Sequence, residues 1–345
     1  MTEFAAPTAA TFAGMRLIGA ADVARTPIRA AVDALETALV EGLDPERQPP
    51  RSRLATATGE LLVMPATRDG HTGCKLLTST PDNPGRGRPL IQGAFLLFAG
   101  PEQRPVALVD GAGLTNLRTP AMSALAVRHL LPPTAAGPLR LTVFGAGPQA
   151  LGHAEALLAL HDVGAVTVVA RPGPRRDRLA ARLAGTGVAV DARDPGSAAD
   201  AVARADVICC CTSAAIPLFD GALVRADAVV VAIGSHSPHA REVDDTLVAR
   251  SQVVVESRAS TLREAGDVVI PLAAGVLRKD ELIPLHHLVA GRDRLPDGGP
   301  RLFKGTGMPW QDLVVAVEVH RTQLAADAAT APAGPTDGDP PAEPG

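Results

Sequence analysis

The fold is decided by one stretch of ten residues, Leu141-Thr142-Val143-Phe144-Gly145-Ala146-Gly147-Pro148-Gln149-Ala150. Its first four residues predict a buried strand, and residues 150–161 carry apolar side chains at helical spacing. Between a strand and a helix, a Gly-x-Gly turn lets the backbone approach a pyrophosphate, which the free N–H groups of the helix N-terminus then bind. The stretch therefore predicts the phosphate loop of a dinucleotide-binding domain, formed by Gly145, Ala146, Gly147, Pro148, Gln149 and Ala150.

The residues on the C-terminal side of this loop alternate short apolar runs with amphipathic stretches. Apolar runs without a period of two are typical of strands buried on both faces, as in a parallel sheet covered by helices. The predicted strands are residues 166–170, 188–191, 207–211, 228–233 and 253–255. The fold class is therefore predicted as α/β, with a Rossmann-type doubly wound parallel sheet over residues 123–307.

A second domain is predicted on the N-terminal side of the loop. The sequence indicates a helix at residues 28–41 and then strands at residues 61–65, 73–78, 91–98 and 106–110. A helix at residues 118–131 would connect the two domains, and a last helix at residues 311–324 would return to the first. We therefore expect an α+β domain of residues 12–122 with 308–325, and a Pro-rich disordered tail at residues 326–345.

The end of the second strand of the Rossmann domain bears on which dinucleotide is bound. NAD-binding proteins usually place Asp or Glu there to bind the ribose hydroxyls. This chain has Arg171 instead, followed by Arg175 and Arg176. Guanidinium groups suit a 2′-phosphate, so NADP(H) is favoured. NAD(H) remains possible, since the same arginines could form an exposed charge run on the next helix.

Charge and composition exclude several classes of protein. A net charge of −4 gives no basic field for nucleic acid. No apolar run approaches the roughly 20 residues of a membrane-spanning helix, and the first residues lack a signal-peptide pattern, so the cytoplasm is the expected compartment. The histidines show no metal-ligand spacing, and the consecutive Cys209, Cys210 and Cys211 are interpreted as small buried residues of a strand, so no metal is expected.

Several further motifs resemble, in order and spacing, those of the ornithine cyclodeaminase/μ-crystallin family, over nearly all of Arg16 to Arg321. The matching segments are residues 49–51 (PPR), 62–65 (LVMP), 73–76 (GCKL), 114–121 (LTNLRTPA), 234–238 (GSHSP), 241–244 (REVD) and 302–308 (LFKGTGM). The resemblance implies a homodimer, in which the first domain and the last helix form the dimerisation and substrate domain. It also implies a small amino-acid or imino-acid substrate.

The resemblance implies that Arg51, Lys75 and Arg118 line the substrate pocket. Two arginines suit an α-carboxylate, and a buried lysine beside other cations has a lowered pKa and can exchange a proton with substrate. An ion pair without a substrate role is the alternative for each of them. Further residues expected near the cofactor are Thr212, Ser213, Gly234 and Lys304. Gly305 replaces a serine that is usual in the family, and Asp312 is predicted to cap the last helix.

One position departs from the cyclodeaminase branch, where a catalytic Asp follows the glycine after the fifth Rossmann strand. This chain has His236 there, and Leu90 stands where that branch has a threonine. A carboxylate suits the water activation that releases ammonia, so its loss favours simple hydride transfer to a C=N carbon. We expect an NAD(P)H-dependent reductase of cyclic ketimine carboxylates in which Lys75 and His236 are catalytic. The alternatives are an ornithine cyclodeaminase, an amino-acid dehydrogenase, and a binding protein without turnover.

Overall fold

The computed structural model describes residues 12, 14–132, 137–296 and 298–330. The strands, in chain order, are β1 (Arg16–Ile18), β2 (Ser52–Thr56), β3 (Gly59–Arg68), β4 (His71–Ser79), β5 (Ile91–Ala99), β6 (Arg104–Asp110), β7 (Leu139–Phe144), β8 (Val163–Val169), β9 (Ala189–Arg193), β10 (Val207–Cys210), β11 (Val229–Ala232), β12 (Gln252–Val255), β13 (Ile283–Pro284) and β14 (Arg301–Lys304). The helices are α1 (Ala20–Val23), α2 (Ile28–Val40), α3 (Gly111–Leu130), α4 (Pro148–Leu160), α5 (Pro174–Ala184), α6 (Ala199–Arg204), α7 (Asp245–Arg250), α8 (Arg258–Glu264), α9 (Gly266–Ala273), α10 (Leu285–Val289) and α11 (Pro309–Thr330).

The C-terminal sheet confirms the predicted Rossmann-type architecture. Its eight strands are parallel and lie in the order β13-β12-β14-β11-β10-β7-β8-β9. Strands β10, β11 and β12 are buried along their whole length, as the apolar runs at residues 207–211, 228–233 and 253–255 predict. The sequence does not predict β14, because its four residues begin and end with a charged side chain. The sheet nevertheless places β14 near its centre, between β11 and β12.

The N-terminal sheet has six strands in the order β1-β6-β5-β4-β3-β2. Its strands are antiparallel except for the β1–β6 pair. Along β3 and β4, buried residues alternate with more exposed ones, so one face of the sheet packs on the helices and the other does not. Helices α3 and α11 lie against the buried face, and α2 packs on both of these helices. One apolar core runs from Phe95 of this sheet through Leu125 of α3 to Val143 of the other sheet.

Two helices are longer than the sequence predicts. Helix α3 begins at Gly111, because the Asp110 side chain caps it by accepting a hydrogen bond from Gly113 N at 2.6 Å. It therefore runs across the predicted domain boundary at residue 122. Helix α11 continues to Thr330, through alanine-rich residues that favour a helix and that the sequence prediction partly assigned to the tail. Residues 331–345 of that predicted tail lie outside the described residues.

None of the helices in the described ranges is long and apolar enough to cross a membrane. Within the same ranges, His, Cys, Asp and Glu side chains form no group of three or more that could hold a metal ion. All four cysteines are free thiols, and Cys209 and Cys210 are buried in β10. Burial raises the pKa of both thiols, which makes them poor nucleophiles.

Candidate active site

Lys75 lies on the buried face of the first sheet, where β4 pairs it with Met64 of β3 and Phe95 of β5. Its side chain is fully buried. The Nζ atom donates to Asp312 Oδ1 at 2.6 Å and to Thr115 Oγ1 at 3.0 Å. Because an ammonium group has three N–H donors, these two bonds leave one donor for another group.

Arg118 reaches the same carboxylate from helix α3. Its Nε donates to Asp312 Oδ1 at 3.1 Å, and its Nη1 donates to Gln311 Oε1 at 3.3 Å. Lys75 and Arg118 therefore share one carboxylate, and this group of two cations and one anion has an excess positive charge. Such an excess favours an anionic ligand.

The predicted capping role of Asp312 is wrong. The residue lies in the first turn of α11, but its Oδ1 accepts from Lys75 and Arg118. Its Oδ2 is buried and has no hydrogen-bond partner among the residues that the structure describes. Gln311 takes over the contact at the helix start, because its Oε1 accepts from Met308 N at 3.1 Å. The sequence could not identify this role, since Asp312 and Lys75 are far apart along the chain.

The surroundings of Lys75 adjust its acidity. Burial lowers the pKa of Lys75 from 10.5 to about 8, because desolvation disfavours the charged amine. The Asp312 carboxylate opposes this change in pKa, and the cations Arg118 and Arg51 add to it. An amine with this pKa exchanges a proton readily near neutral pH.

Arg51 follows the loop before β2 and binds segments of the other domain. Its Nη2 donates to Thr306 O at 2.6 Å and also to Gly307 O, while its Nε lies 3.0 Å from Glu264 Oε2. Gly307 has a φ of +75°, and a Cβ atom at this position would collide with the Arg118 guanidinium. The backbone of Gly307 therefore lies between the two arginines, and only glycine fits there without strain.

Glu256, at the end of β12, fixes this same segment. Its Oε2 accepts from Thr306 N at 3.0 Å and from Gly307 N at 2.8 Å, and its Oε1 accepts from Gln311 Nε2 at 2.9 Å. Because Gln311 also bonds Arg118, this carboxylate links the end of a Rossmann strand to the group around Lys75. The sequence analysis did not identify Glu256, because it matches no motif.

A small cleft opens beside Arg51. It has a volume of about 160 Å³, and its lining includes Glu46, Arg51, Ser260, Arg263, Gly307 and Met308. Lys75 and Arg118 do not line it. A wider depression of about 700 Å³ around Glu41 and Arg68 contains none of the predicted site residues, and we do not assign it to the site.

The phosphate loop has the geometry that the sequence predicts. Gly145 has a φ of +113°, and its N–H donates to Val169 O of the neighbouring strand at 2.9 Å. Gly147 caps α4, and a Cβ atom on it would meet no atom within 4 Å. The open space at this helix N-terminus fits a pyrophosphate group. Gln149 Nε2 donates to Asn116 Oδ1 at 2.9 Å, and the fully buried Ala150 allows the close packing of α4.

The three arginines after β8 differ in their surroundings. Arg176 donates to Asp194 Oδ1 at 2.5 Å and to Ala170 O at 3.4 Å, so it is committed to the protein. Arg171 and Arg175 are exposed and form no ion pair with any residue in the described part of the chain. Two free guanidinium groups therefore stand where the sequence predicts the ribose of the dinucleotide.

The ends of β10, β11 and β14 meet beside each other, as expected for a nicotinamide site at the carboxyl edge of the sheet. Thr212 and Gly234 lie against each other at this edge, and Ser213, which follows Thr212 directly, is exposed. Lys304, which the sequence analysis expects near the cofactor, pairs with protein groups at this edge. Its ammonium is fully buried, donates to Ser235 O at 2.6 Å and lies 2.8 Å from Asp267 Oδ2.

His236 has an exposed side chain in the loop after β11. Partial desolvation of its ring lowers the pKa of His236, and the nearby cations Arg51, Arg53 and Lys304 lower the pKa further. The ring is therefore close enough to sense Arg51, although the two residues come from different domains. A neutral imidazole at this position can accept or donate a hydrogen bond to a substrate.

Comparison with known proteins identifies the family of this chain. The profile of the ornithine cyclodeaminase/mu-crystallin family matches residues 19–326. The Delta(1)-pyrroline-2-carboxylate reductase of Colwellia psychrerythraea is 34% identical over 261 residues, which are 74% of this chain and 82% of the relative. The ketimine reductase mu-crystallin of Rattus norvegicus is 33% identical over 278 residues, 79% of this chain and 84% of the relative.

A solved structure shares the whole fold. It is the Delta(1)-pyrroline-2-carboxylate reductase of Thermococcus litoralis in complex with NADH and L-proline. It superposes with a TM-score of 0.83 at 24% identity, covering 91% of this chain and 98% of the other. The profile match and the two relatives show that the chain belongs to the ornithine cyclodeaminase/mu-crystallin family.

Proposed function

We propose that this protein reduces the C=N bond of a cyclic ketimine carboxylate, such as 1-pyrroline-2-carboxylate, to a cyclic L-amino acid. One observation supports this most strongly. Two arginines and a lysine from three separate segments surround one buried carboxylate and one glycine backbone. The names of relatives at 33–34% identity point to the same substrate class.

The two arginines are suited to hold the substrate carboxylate. Within the described residues, Nη1 of Arg51 and Nη2 of Arg118 have no hydrogen-bond partner. These groups supply donors for charge-assisted hydrogen bonds, which are stronger than those between neutral groups. Arg51 borders the open cleft, whereas Arg118 is covered by Gly307, so substrate binding requires a small shift of that glycine segment.

Lys75 is the proposed proton donor to the ring nitrogen of the substrate. At pH 7 an amine with a pKa of about 8 is mostly protonated, and its third N–H is free to face the substrate. Asp312 keeps this proton in place by pairing with Nζ at 2.6 Å. A protonated imine accepts a hydride at carbon more readily, so proton donation precedes or accompanies reduction. His236 orients the substrate from the opposite domain.

The residues of the phosphate loop would hold NADPH, with Gly147 and the start of α4 receiving the pyrophosphate. When bound, the reduced nicotinamide supplies the hydride. Arg171 and Arg175, exposed and unpaired among the described residues, support NADP(H) over NAD(H). The backbone at Thr212 and Gly234 forms the edge of the sheet on which the nicotinamide would rest.

Reduction is proposed over cyclodeamination because His236 replaces the Asp that the sequence resemblance gives to the cyclodeaminase branch. The position that His236 occupies therefore has no carboxylate to act as a base for water. An exposed, partly desolvated imidazole is compatible with the simpler reaction, in which no ammonia is released.

We also propose that the protein is a cytoplasmic homodimer. The uncovered face of the N-terminal sheet carries exposed apolar side chains, including Leu17, Leu54 and Leu76. Register places these with the half-buried Val63 and Leu96 on the same face. A contiguous apolar surface of this kind supports pairing with a second copy. Free thiols at all four cysteines support a reducing compartment.

The test is the oxidation of NADPH in the presence of 1-pyrroline-2-carboxylate or 1-piperideine-2-carboxylate. We expect turnover with at least one of them, its loss in Lys75→Ala, and no change in the matched control Lys279→Ala, which alters an exposed lysine. Steady release of ammonia from ornithine with NAD, and no ketimine reduction, would replace the reductase with a cyclodeaminase. NADPH binding without oxidation of any substrate would indicate a binding protein.

A further inference from the structure

Three ionisable side chains at the carboxyl edge of the Rossmann sheet take no part in the steps above. Glu242, Asp267 and Lys304 are each fully buried. Placing charged groups in the interior is costly unless each one is paired or hydrogen-bonded. Their contacts therefore indicate what this cluster holds in place.

Glu242 joins the ends of two neighbouring strands. Its Oε1 accepts from Thr212 N at 2.8 Å and from Thr212 Oγ1 at 2.7 Å, and its Oε2 accepts from Gly234 N at 2.7 Å. Thr212 follows β10 by two residues and Gly234 follows β11 by two residues. The approach is so close that a Cβ atom on Gly234 would lie 2.6 Å from Glu242 Oε1, which requires glycine there.

Asp267 and Lys304 connect Glu242 to the loop that follows β11. Asp267 Oδ1 accepts from Glu242 N at 2.6 Å and from Val243 N at 3.1 Å. Its Oδ2 lies 2.8 Å from Lys304 Nζ, which donates to Ser235 O at 2.6 Å. This chain of contacts runs from Gly234 through Glu242, Asp267 and Lys304 to Ser235. It therefore fixes the two residues that precede His236.

We propose that Glu242 is a positioning residue of the reductase site. Through Thr212 and Gly234 it fixes the edge on which the nicotinamide rests, and through Asp267 and Lys304 it fixes the loop that carries His236. The inference rests on the proposed function for its link to hydride transfer. Its geometrical part, the fixing of the nicotinamide edge, does not depend on which substrate is reduced.

The substitution Glu242→Gln tests the role with little change in size. All three groups that face this side chain are donors, and a glutamine offers one acceptor and a second donor, so one of the strand ends loses its bond. Misplacement of reacting groups by about 1 Å can cost about 100-fold in rate. We expect kcat to fall at least about tenfold, while KM for the ketimine, set by Arg51 and Arg118, stays within about threefold.

A binding measurement without substrate separates positioning from general damage. Isothermal titration uses NADP⁺ and adenosine 2′,5′-bisphosphate, which lacks the nicotinamide half. In Glu242→Gln we expect the Kd for NADP⁺ to rise about tenfold, because a charge-assisted bond to the nicotinamide edge is lost. The Kd for the bisphosphate should not change, since it contacts only the phosphate loop and the arginines after β8. The matched control Glu318→Gln, in a carboxylate of α11 that pairs with Arg321, should match the parent in both titrations.

The outcomes decide the proposal in each case. Equal weakening of both ligands, or no change in either, overturns the positioning role. If Glu242→Gln does not fold, Thr212→Val removes one of the three donors. This variant should also raise the Kd for NADP⁺ without changing the Kd for the bisphosphate, by less than Glu242→Gln would. If the two Kd values change equally or not at all, the positioning role is overturned. If the parent protein reduces no ketimine, the proposed function fails, while the two titrations still decide whether Glu242 positions the nicotinamide edge.

Discussion

The substitution Asp312→Asn removes the charge that Lys75 and Arg118 share and changes little else. Asn retains an oxygen that accepts from Lys75 Nζ, now 2.6 Å from Asp312 Oδ1. The new amide group takes the place of Oδ2, which has no partner among the described residues, so it displaces no existing bond. Removing one partner of a buried ion pair costs about 3–5 kcal/mol of stability, and the retained hydrogen bond places this variant at the lower end.

The size of the effect on proton transfer follows from Coulomb's law. At an effective dielectric constant of about 20, two unit charges about 4 Å apart interact by about 4 kcal/mol, and about 1.4 kcal/mol is a tenfold change in a proton equilibrium. Asp312 raises the pKa of Lys75, so its neutralisation lowers that pKa below the present value of about 8. Even a third of the interaction moves the alkaline limb of kcat/KM downward by about one pH unit.

The assay is the pH dependence of kcat/KM for ketimine reduction, between about pH 6 and pH 10. Protonated Lys75 is the active form, so the parent should lose activity as the pH rises through about 8, and Asp312→Asn should lose it at lower pH. Asp227→Asn, an exposed carboxylate paired with Arg225, is the matched control and should follow the parent. An unchanged alkaline limb in a folded Asp312→Asn protein would refute the role given to this pair.

Three more predictions concern Gly307, the preference between NADPH and NADH, and the proposed homodimer. Gly307→Ala forces a Cβ atom against the Arg118 guanidinium at a φ of +75°, so KM for the ketimine should rise about tenfold or more, measured by steady-state kinetics. Arg171→Glu should weaken NADPH binding and shift the preference towards NADH, because a carboxylate repels a 2′-phosphate and accepts from ribose hydroxyls, as a comparison of kcat/KM for the two cofactors will show. Leu76→Asp places a charge on the uncovered sheet face and should give monomers in size-exclusion chromatography with light scattering.

Matched substitutions serve as controls for these three predictions. Gly275→Ala has the same sign of φ but meets no atom within 4 Å, so it should leave KM unchanged. Arg178→Glu changes an exposed arginine on α5, and Leu324→Asp changes an exposed leucine on α11. A rise in KM with Gly275→Ala would contradict the role of Gly307. An equal shift in cofactor preference with Arg178→Glu would contradict the role of Arg171. A dimer that survives Leu76→Asp would contradict the proposed interface.

The main architecture could be predicted because its signals are local. The strand Leu139–Phe144, the turn at Gly145 and the helix from Pro148 are neighbours along the chain. Unbroken apolar runs mark β10, β11 and residues 253–255 of β12. A short strand such as β14 has no such signal, because two of its four residues are charged and its buried position is set by its neighbours in the sheet.

The candidate site could be predicted only for residues within recognisable motifs. Arg51, Lys75 and Arg118 lie in such motifs, but the carboxylates that arrange them do not. Asp312 contacts Lys75 across 237 positions of sequence, and Glu256 contacts Gln311 across 55. Nothing local distinguishes these acids from exposed ones, and a helix-terminal Asp most simply suggests a cap. Lys304 lies in a motif as well, but its pairing with the distant Asp267 could not be predicted from the sequence.

The central claim is that hydride reaches the C=N carbon of a cyclic ketimine carboxylate. It is tested most directly by supplying NADPH with deuterium at C4 of the nicotinamide, in either configuration, together with 1-pyrroline-2-carboxylate. One of the two labelled cofactors should give L-proline that carries one deuterium at C2, measured by chiral chromatography with mass spectrometry, and Lys75→Ala should give little or none. Unlabelled proline from both cofactors, or ammonia release from ornithine without any ketimine reduction, would contradict the account.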